Sequence, residues 1–275
     1  MLGPDSLPGG PMAFPANASV PFLPNVITFG PQANCTLHIC PVEWSVYKYR
    51  PSVPANAVFL ALFSAALLVH VAIGWRWRSW GFMGFMVAGC LLEVVGYAGR
   101  ILLHANPWSF GAFMTQIVLI TCGPVFYTAA IYVTLSNIIQ HLGEHISRIK
   151  PQLFYYIFIP ADIVCLVLQA AGGAISVVSS GASQNGIDIA LAGLGLQVAS
   201  LVIFSALLAD YLVRYFRHRP LSTLDLRMRV FFGFLSAAVV LVLLRCVYRC
   251  YELSQGYIGS KLVTDEGLFI GLEGV

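Results

Sequence analysis

Charge is what this sequence has least of: Asp, Glu, Lys and Arg together make up 10% of its 275 residues, against roughly 25% in an ordinary soluble domain. A chain so poor in ionised groups cannot clothe a water-facing surface, and most soluble folds are excluded. The 15 basic residues outnumber the 12 acidic ones for a net charge of +3. They are dispersed along the chain, so the clustered basic surface that phosphate binding needs is missing and nucleic acid is not expected as a partner. There is no polar low-complexity tract, which excludes a disordered chain, and no glycine period of the collagen kind. What is present is 58% apolar residues and a mean hydropathy of +0.80, the balance of a membrane protein.

A hydrocarbon core of about 30 Å is crossed by about 20 helical residues rising 1.5 Å each. Six apolar runs have that length: Ala55–Gly74, Gly81–Leu103, Phe113–Ile139, Leu153–Val178, Ile189–Val213 and Val230–Tyr251. The fold class expected is therefore all-α, a polytopic transmembrane helix bundle. Turn-forming pairs such as Asn106-Pro107, Ser180-Gly181 and Asn185-Gly186 punctuate the connections. Basic residues gather in the odd loops, as Arg76 and Arg78, Arg148 and Lys150, then Arg214, Arg217, Arg219, Arg227 and Arg229, while the even loops hold Lys261. Positive charge stays cytoplasmic, so the N-terminus is expected outside. Lys48 and Arg50 oppose this locally, and the later loops decide it.

Three regions follow: residues 1–50 as an extracellular Pro/Gly-rich tail, 51–252 as a six-span bundle, and 253–275 as an outer loop leading into a seventh span cut short at Gly267–Val275. The tail has no basic segment followed by an apolar stretch, so no cleavable signal is read and the first span is expected to translocate it. Two sequons, Asn17-Ala18-Ser19 and Asn34-Cys35-Thr36, make Asn17 and Asn34 candidate glycosylation sites. Cys35 and Cys40 share the tail, where an oxidised pair is expected. Cys90, Cys122, Cys165, Cys246 and Cys250 lie in spans without ligand spacing and are read as packing residues.

A charge at bilayer depth costs at least about 2.5 to 3.5 kcal/mol, so such residues face the bundle interior, pair up or mark a pathway. In the second span Gly89, Glu93, Gly96 and Arg100 recur at helical spacing on one face. The fourth span carries Asp162, Gln169 and Gly173 at similar spacing, with Pro160 just before Asp162. The sixth carries Arg245, Arg249 and Glu252, and two arginines four apart repel, so they need acid partners. Three acids and three bases allow a closed interhelical network, a polar pocket for an amphipathic substrate, or a proton relay. All three readings stand at this level. Gln116 and Gln197 are expected to bond across helices, Asp210 and Arg214 to form an interfacial pair, and His70 to be packed or snorkelling. His141 and His145 flank Glu144, which is not a metalloprotease order. No metal constellation, nucleotide-binding loop or nucleophile elbow is found, and neither an enzyme nor a cofactor is expected.

The order of motifs resembles the fungal RTA-like family, also called lipid-translocating exporters. The resemblance runs from Tyr49-Arg50-Pro51-Ser52 with Asn56, through Glu93-Val94-Val95-Gly96-Tyr97-Ala98-Gly99-Arg100, to Gly123-Pro124 with Ala129, Ala130 and Tyr132. It continues with Asp162, Gln169-Ala170-Ala171-Gly172-Gly173, the stretch from Gly193 to Gln197, and Arg245-Cys246-Val247-Tyr248-Arg249-Cys250-Tyr251-Glu252 followed by Gly256. It covers roughly residues 49–266. The resemblance implies seven spans with the N-terminus outside, and export or flipping of sphingoid long-chain bases, sterol-analogue resistance, or porphyrin and haem traffic. Membrane lipids would be the partners and an amphipathic lipid the substrate, at the plasma membrane or in the vacuole. Glu93, Asp162 and Glu252 would hold a cationic amine, with Arg100, Arg245 and Arg249 organising them and Gln169 beside the path. A seven-span lipid sensor, a porphyrin carrier and an inactive product lacking the seventh span are the competing expectations.

Overall fold

The computed structural model describes residues 30, 33–45, 47–142, 150–178, 184–218, 226–254 and 271. Asn17, Arg148, His145, Arg219, Lys261 and the outer loop with its apolar run lie outside the described residues, apart from Gly271. Among the described residues six long helices are seen: α1 Val53–Trp77, α2 Trp80–Ala105, α3 Phe110–Leu142, α4 Pro151–Val178, α5 Gln184–His218 and α6 Leu226–Ser254. All six are long and apolar enough to cross a membrane, and each contains one of the six runs read from the sequence. The helices extend past those runs by about one to five residues at each end, except α4, which stops with its run at Val178.

Local chemistry sets the ends. Ser52 caps α1, its hydroxyl accepting from the Ala55 amide, with Pro54 in the first turn where a missing N–H costs nothing. Arg78 closes α1 in the left-handed conformation at φ 52°, and α2 starts two residues later. Between α2 and α3, the Asn106 side chain accepts from the Trp108 amide and Ser109 from that of Ala112, so four residues reverse the chain.

Successive helices pack side by side, with α2 on α3 and α4 on α5 the most extensive pairs, and α6 returns to touch α3. One end of the bundle carries the N-terminal segment and is called here the N-terminal face; the other carries Arg76, Arg78, Lys150 and Arg217. Toward the second end, α3 to α6 are filled by an apolar core that includes Tyr132, Ile139, Phe154, Phe158, Phe204, Tyr215 and Phe232. Phe204 meets Tyr132 edge-on at 4.5 Å between ring centroids. The helix α1 stands at the flank, gripping α2 by stacking Phe59 and Phe63 on Tyr97 at 5.2 and 5.7 Å. Its remaining surface is largely exposed, as a lipid-facing helix requires.

Candidate functional site

The small and charged residues of α2 lie on one face turned toward α3, where Gly89, Glu93, Gly96 and Arg100 are all buried. Glycine is needed there for space: a Cβ at Gly89 would run into the Tyr127 ring, and one at Gly96 into Ile120. The same economy on α3 makes room for the acid, since a Cβ at Gly123 would lie 2.6 Å from Glu93 Oε1. Glu93 is fully buried, and Arg245 reaches it from α6 with an amino group 2.9 Å from Oε1 and 2.9 Å from the Ile120 carbonyl oxygen. The carbonyl takes a further hydrogen of the guanidinium, so the cation is held by two helices at once.

Arg100, two turns further along α2, serves a different connection. It donates to Gln116 Oε1 at 3.3 Å and to the Tyr49 hydroxyl at 2.7 Å, and its guanidinium carbon sits 5.2 Å from the centre of the Tyr47 ring. Gln116 donates in turn to the Tyr47 hydroxyl at 2.8 Å. Burial pushes the Tyr47 phenol above its ordinary range, against the pull of the Arg100 charge. Arg50 donates twice to the His104 carbonyl, and His104 contacts the Pro51 carbonyl at 2.8 Å. Residues 47–51 are thereby latched onto the ends of α2 and α3. Above the latch, Cys35 and Cys40 are joined by a disulfide, and Trp108 packs against them. Asn34, next to the disulfide, is exposed.

On α6, Arg249 donates to Glu252 at 2.8 Å, one turn along the same helix. This pair and Gln169 line a cavity of about 90 Å³ bounded by Ile117, Thr121 and Cys122 of α3, Ala190 and Leu194 of α5 and Leu253 of α6. Val118 and Ala170 also border it and are exposed on the bundle's flank. Gln169 is held by its amide donating to Gln197 Oε1 at 2.7 Å. Close approach of α4 and α5 beside the cavity depends on Gly172 and Gly193, whose added Cβ atoms would strike the backbone of the facing helix. Counting 1.5 Å per residue from the end of α6 puts Glu252 about 3 Å and Arg249 about 8 Å inside it, at the N-terminal-face end of the helix.

Asp162 stands apart from this cluster. It is 2% exposed, and its Oδ2 lies 3.1 Å from the Tyr132 hydroxyl and 3.2 Å from that of Thr128. The three acids and three bases of the spans are thus distributed over separate stations: Glu93 with Arg245, Glu252 with Arg249, Arg100 with Gln116 and the tail tyrosines, and Asp162 with two hydroxyls. The reason is helical rise. Arg245 and Arg249 differ by about 6 Å in depth, and each meets what its own level offers. Gln169, Arg249 and Glu252 line the cavity, whereas Glu93, Arg100, Asp162 and Arg245 are not among the residues lining it. Asp210 and Arg214 form the interfacial pair at 3.0 Å, and His70 lies edge-on against Phe82.

Tyr47 and Thr128 were not singled out in the sequence, and Tyr49 and Tyr132 were singled out only among the residues that carry the family resemblance, without a role at the site. The tail tyrosines fall outside any apolar period. Thr128 and Tyr132 did carry a signal, since residues four apart share a helix face, but nothing marked that face as Asp162's neighbour.

A family profile described as RTA1 like protein matches residues 86–275. Sphingoid long-chain base transporter RSB1 of Saccharomyces cerevisiae is 31% identical to this chain, over 81% of the chain and 68% of its own length. Protein RTM1 of the same organism is 22% identical over 83% and 86% of the two chains, and protoporphyrin uptake protein 1 is 29% identical over 66% and 60%. No solved structure matches. With six helices among the described residues long and apolar enough to cross a membrane behind those matches, the chain is a multi-pass integral membrane protein belonging to the RTA1-like family.

Proposed function

We propose that this protein moves an amphipathic lipid with a small amine-bearing headgroup, a sphingoid long-chain base, toward the outer leaflet of the plasma membrane. The observation that carries the reading is the cavity toward the N-terminal face between α3, α4, α5 and α6, polar at Gln169, Arg249 and Glu252 and apolar elsewhere. Its volume of about 90 Å³ suits a headgroup of a few heavy atoms and is far too small for a macrocycle. Val118 and Ala170, exposed at its margin, leave a lateral way in along which an alkyl chain can remain against lipid. Glu252 offers a carboxylate to an ammonium group, Gln169 an amide to a hydroxyl, and Arg249 keeps the carboxylate oriented until the amine arrives. The relative named as a sphingoid long-chain base transporter supports this choice of substrate.

The test is transbilayer movement of a fluorescent sphingoid base in vesicles holding this chain, beside empty vesicles and a Glu252→Gln variant. Movement faster than in empty vesicles, and slower in the variant, is expected. A folded, monodisperse wild-type protein that moves the base no faster than empty vesicles overturns the proposal.

A further inference from the structure

Asp162 shares one of its two hydroxyl donors with a backbone carbonyl. Three oxygen contacts form a chain there: Tyr132 Oη to Asp162 Oδ2 at 3.1 Å, Asp162 Oδ2 to Thr128 Oγ1 at 3.2 Å, and Thr128 Oγ1 to the Val125 carbonyl at 2.8 Å. An undivided hydrogen in each contact would take three. The Tyr132 and Thr128 hydroxyls supply two, and the carbonyl supplies none. When Thr128 gives its hydrogen to Val125, the shorter of its two contacts, lone pairs of Thr128 and the carboxylate face each other. A proton on Oδ2 completes the chain: Tyr132 donates to the carboxyl, the carboxyl to Thr128, and Thr128 to Val125.

The charge environment agrees. Asp162 lies 11 residues into the 28-residue α4, about 17 Å along it and close to mid-depth. Facing it are Thr128 and Tyr132 from α3 and Cys165 on its own helix, with Cys246 of α6 near Tyr132 and the Phe204 ring of α5 against the Tyr132 ring. Among the described residues no Lys, Arg or His pairs with Asp162, and the nearby ion pair is already made between Glu93 and Arg245. A buried carboxyl without a counter-charge in a membrane is costly to ionise, because no solvent supports the charge.

We propose that Asp162 is a proton-carrying site, occupied at neutral pH, and that its proton is released and regained as lipid moves. The carboxyl is 2% exposed between α3 and α4, so its exchange with water is governed by how closely those helices pack. Movement of the helices that border the headgroup cavity and loss of the proton are then coupled. The coupling rests on the transport reading above; the protonation does not.

The experiment has two arms, both on the full chain in lipid vesicles. In the infrared, wild-type protein at neutral pH is expected to show the carbonyl stretch of a protonated carboxyl, shifted in heavy water and lost in Asp162→Asn. Thr128→Val, close in shape and removing the acceptor of the carboxyl hydrogen, is expected to keep the band and move it upward. Absence of an Asp162-dependent band at neutral pH overturns the proton site, and a band that Thr128→Val leaves in place overturns the carboxyl's donation to Thr128. In the second arm, movement of a fluorescent sphingoid base is followed under an imposed pH gradient, which is expected to change the wild-type rate and not that of Asp162→Asn. A wild-type rate indifferent to the gradient overturns the coupling alone. No lipid movement at all removes the coupling together with the transport reading, and the infrared band then judges the proton site by itself.

Discussion

At the scale of single residues, the Glu93–Arg245 pair shows how a membrane bundle tolerates full charges. Both side chains are buried, and the guanidinium has a carboxylate and a carbonyl as acceptors. Removing one partner strands the other, which costs about 3 to 5 kcal/mol in comparable buried pairs, whereas replacing both by apolar groups is often neutral. Glu93→Gln is therefore expected to destabilise the bundle by about that amount, and Glu93→Gln with Arg245→Met to recover most of it; unfolding in mixed detergent micelles reads both. Equal stability of wild type and Glu93→Gln would mean that the pair contributes nothing. Tyr47 gives a second prediction, outside the membrane. Its phenol is raised above the ordinary value of 10.0 by burial, so the unfolded chain loses that proton first. The contribution is complete below pH 10.0 and is lost as pH climbs from there through the raised folded value. Tyr47→Phe is expected to flatten the alkaline fall in stability relative to wild type, measured by thermal unfolding across that range.

At the scale of helices, glycine decides how closely neighbours approach, and two adjacent positions make the point. A Cβ on Gly172 would overlap the Ala190 amide nitrogen and the Gly186 carbonyl, both backbone atoms that cannot rotate away, whereas a Cβ on Gly173 meets nothing within 4 Å. Gly172→Ala is expected to destabilise the bundle by about 1 to 3 kcal/mol through overpacking, and Gly173→Ala to be nearly silent in the same unfolding assay. Alanine's higher helix propensity favours both variants alike, so equal stability changes for the two would show that the α4–α5 contact does not set the effect. These helices and their inward faces were legible in the sequence, because a 20-residue apolar run has few other uses and a 3.6-residue period needs no partner to be seen. Gly89, Glu93, Gly96 and Arg100 were placed on one face for that reason. Which face meets which was not legible: Glu93 and Arg245 are 152 residues apart, and their meeting depends on side-chain volumes along four helices. The Arg249–Glu252 pair, one turn apart on one helix, needed no such knowledge, yet the cavity it lines exists only once α3, α4, α5 and α6 have packed.

At the scale of the whole molecule the bundle is polarised. Its apolar aromatic core lies toward the basic end, while the cavity, the Arg100 latch and the disulfide-bearing segment lie toward the N-terminal face. If positive charge is retained on the cytoplasmic side, Arg76, Arg78, Lys150 and Arg217 are expected inside and the cavity mouth in the outer leaflet, where the proposed exporter would discharge its lipid. Single cysteines test this directly. Glu43 and Arg76 are both exposed and lie at opposite ends of the bundle. In intact cells a membrane-impermeant maleimide is expected to label Glu43→Cys at once and Arg76→Cys only after permeabilisation. The three buried native span cysteines, Cys90, Cys165 and Cys246, are expected to stay silent in both conditions. A glycan on Asn34, exposed beside the disulfide, is expected to accompany the same orientation and to be lost in Asn34→Gln, seen as a shift in mobility after deglycosylation. The reverse labelling pattern would turn the cavity toward the cytoplasm, and the same residues would then be gathering lipid from the inner leaflet instead of releasing it from the outer one.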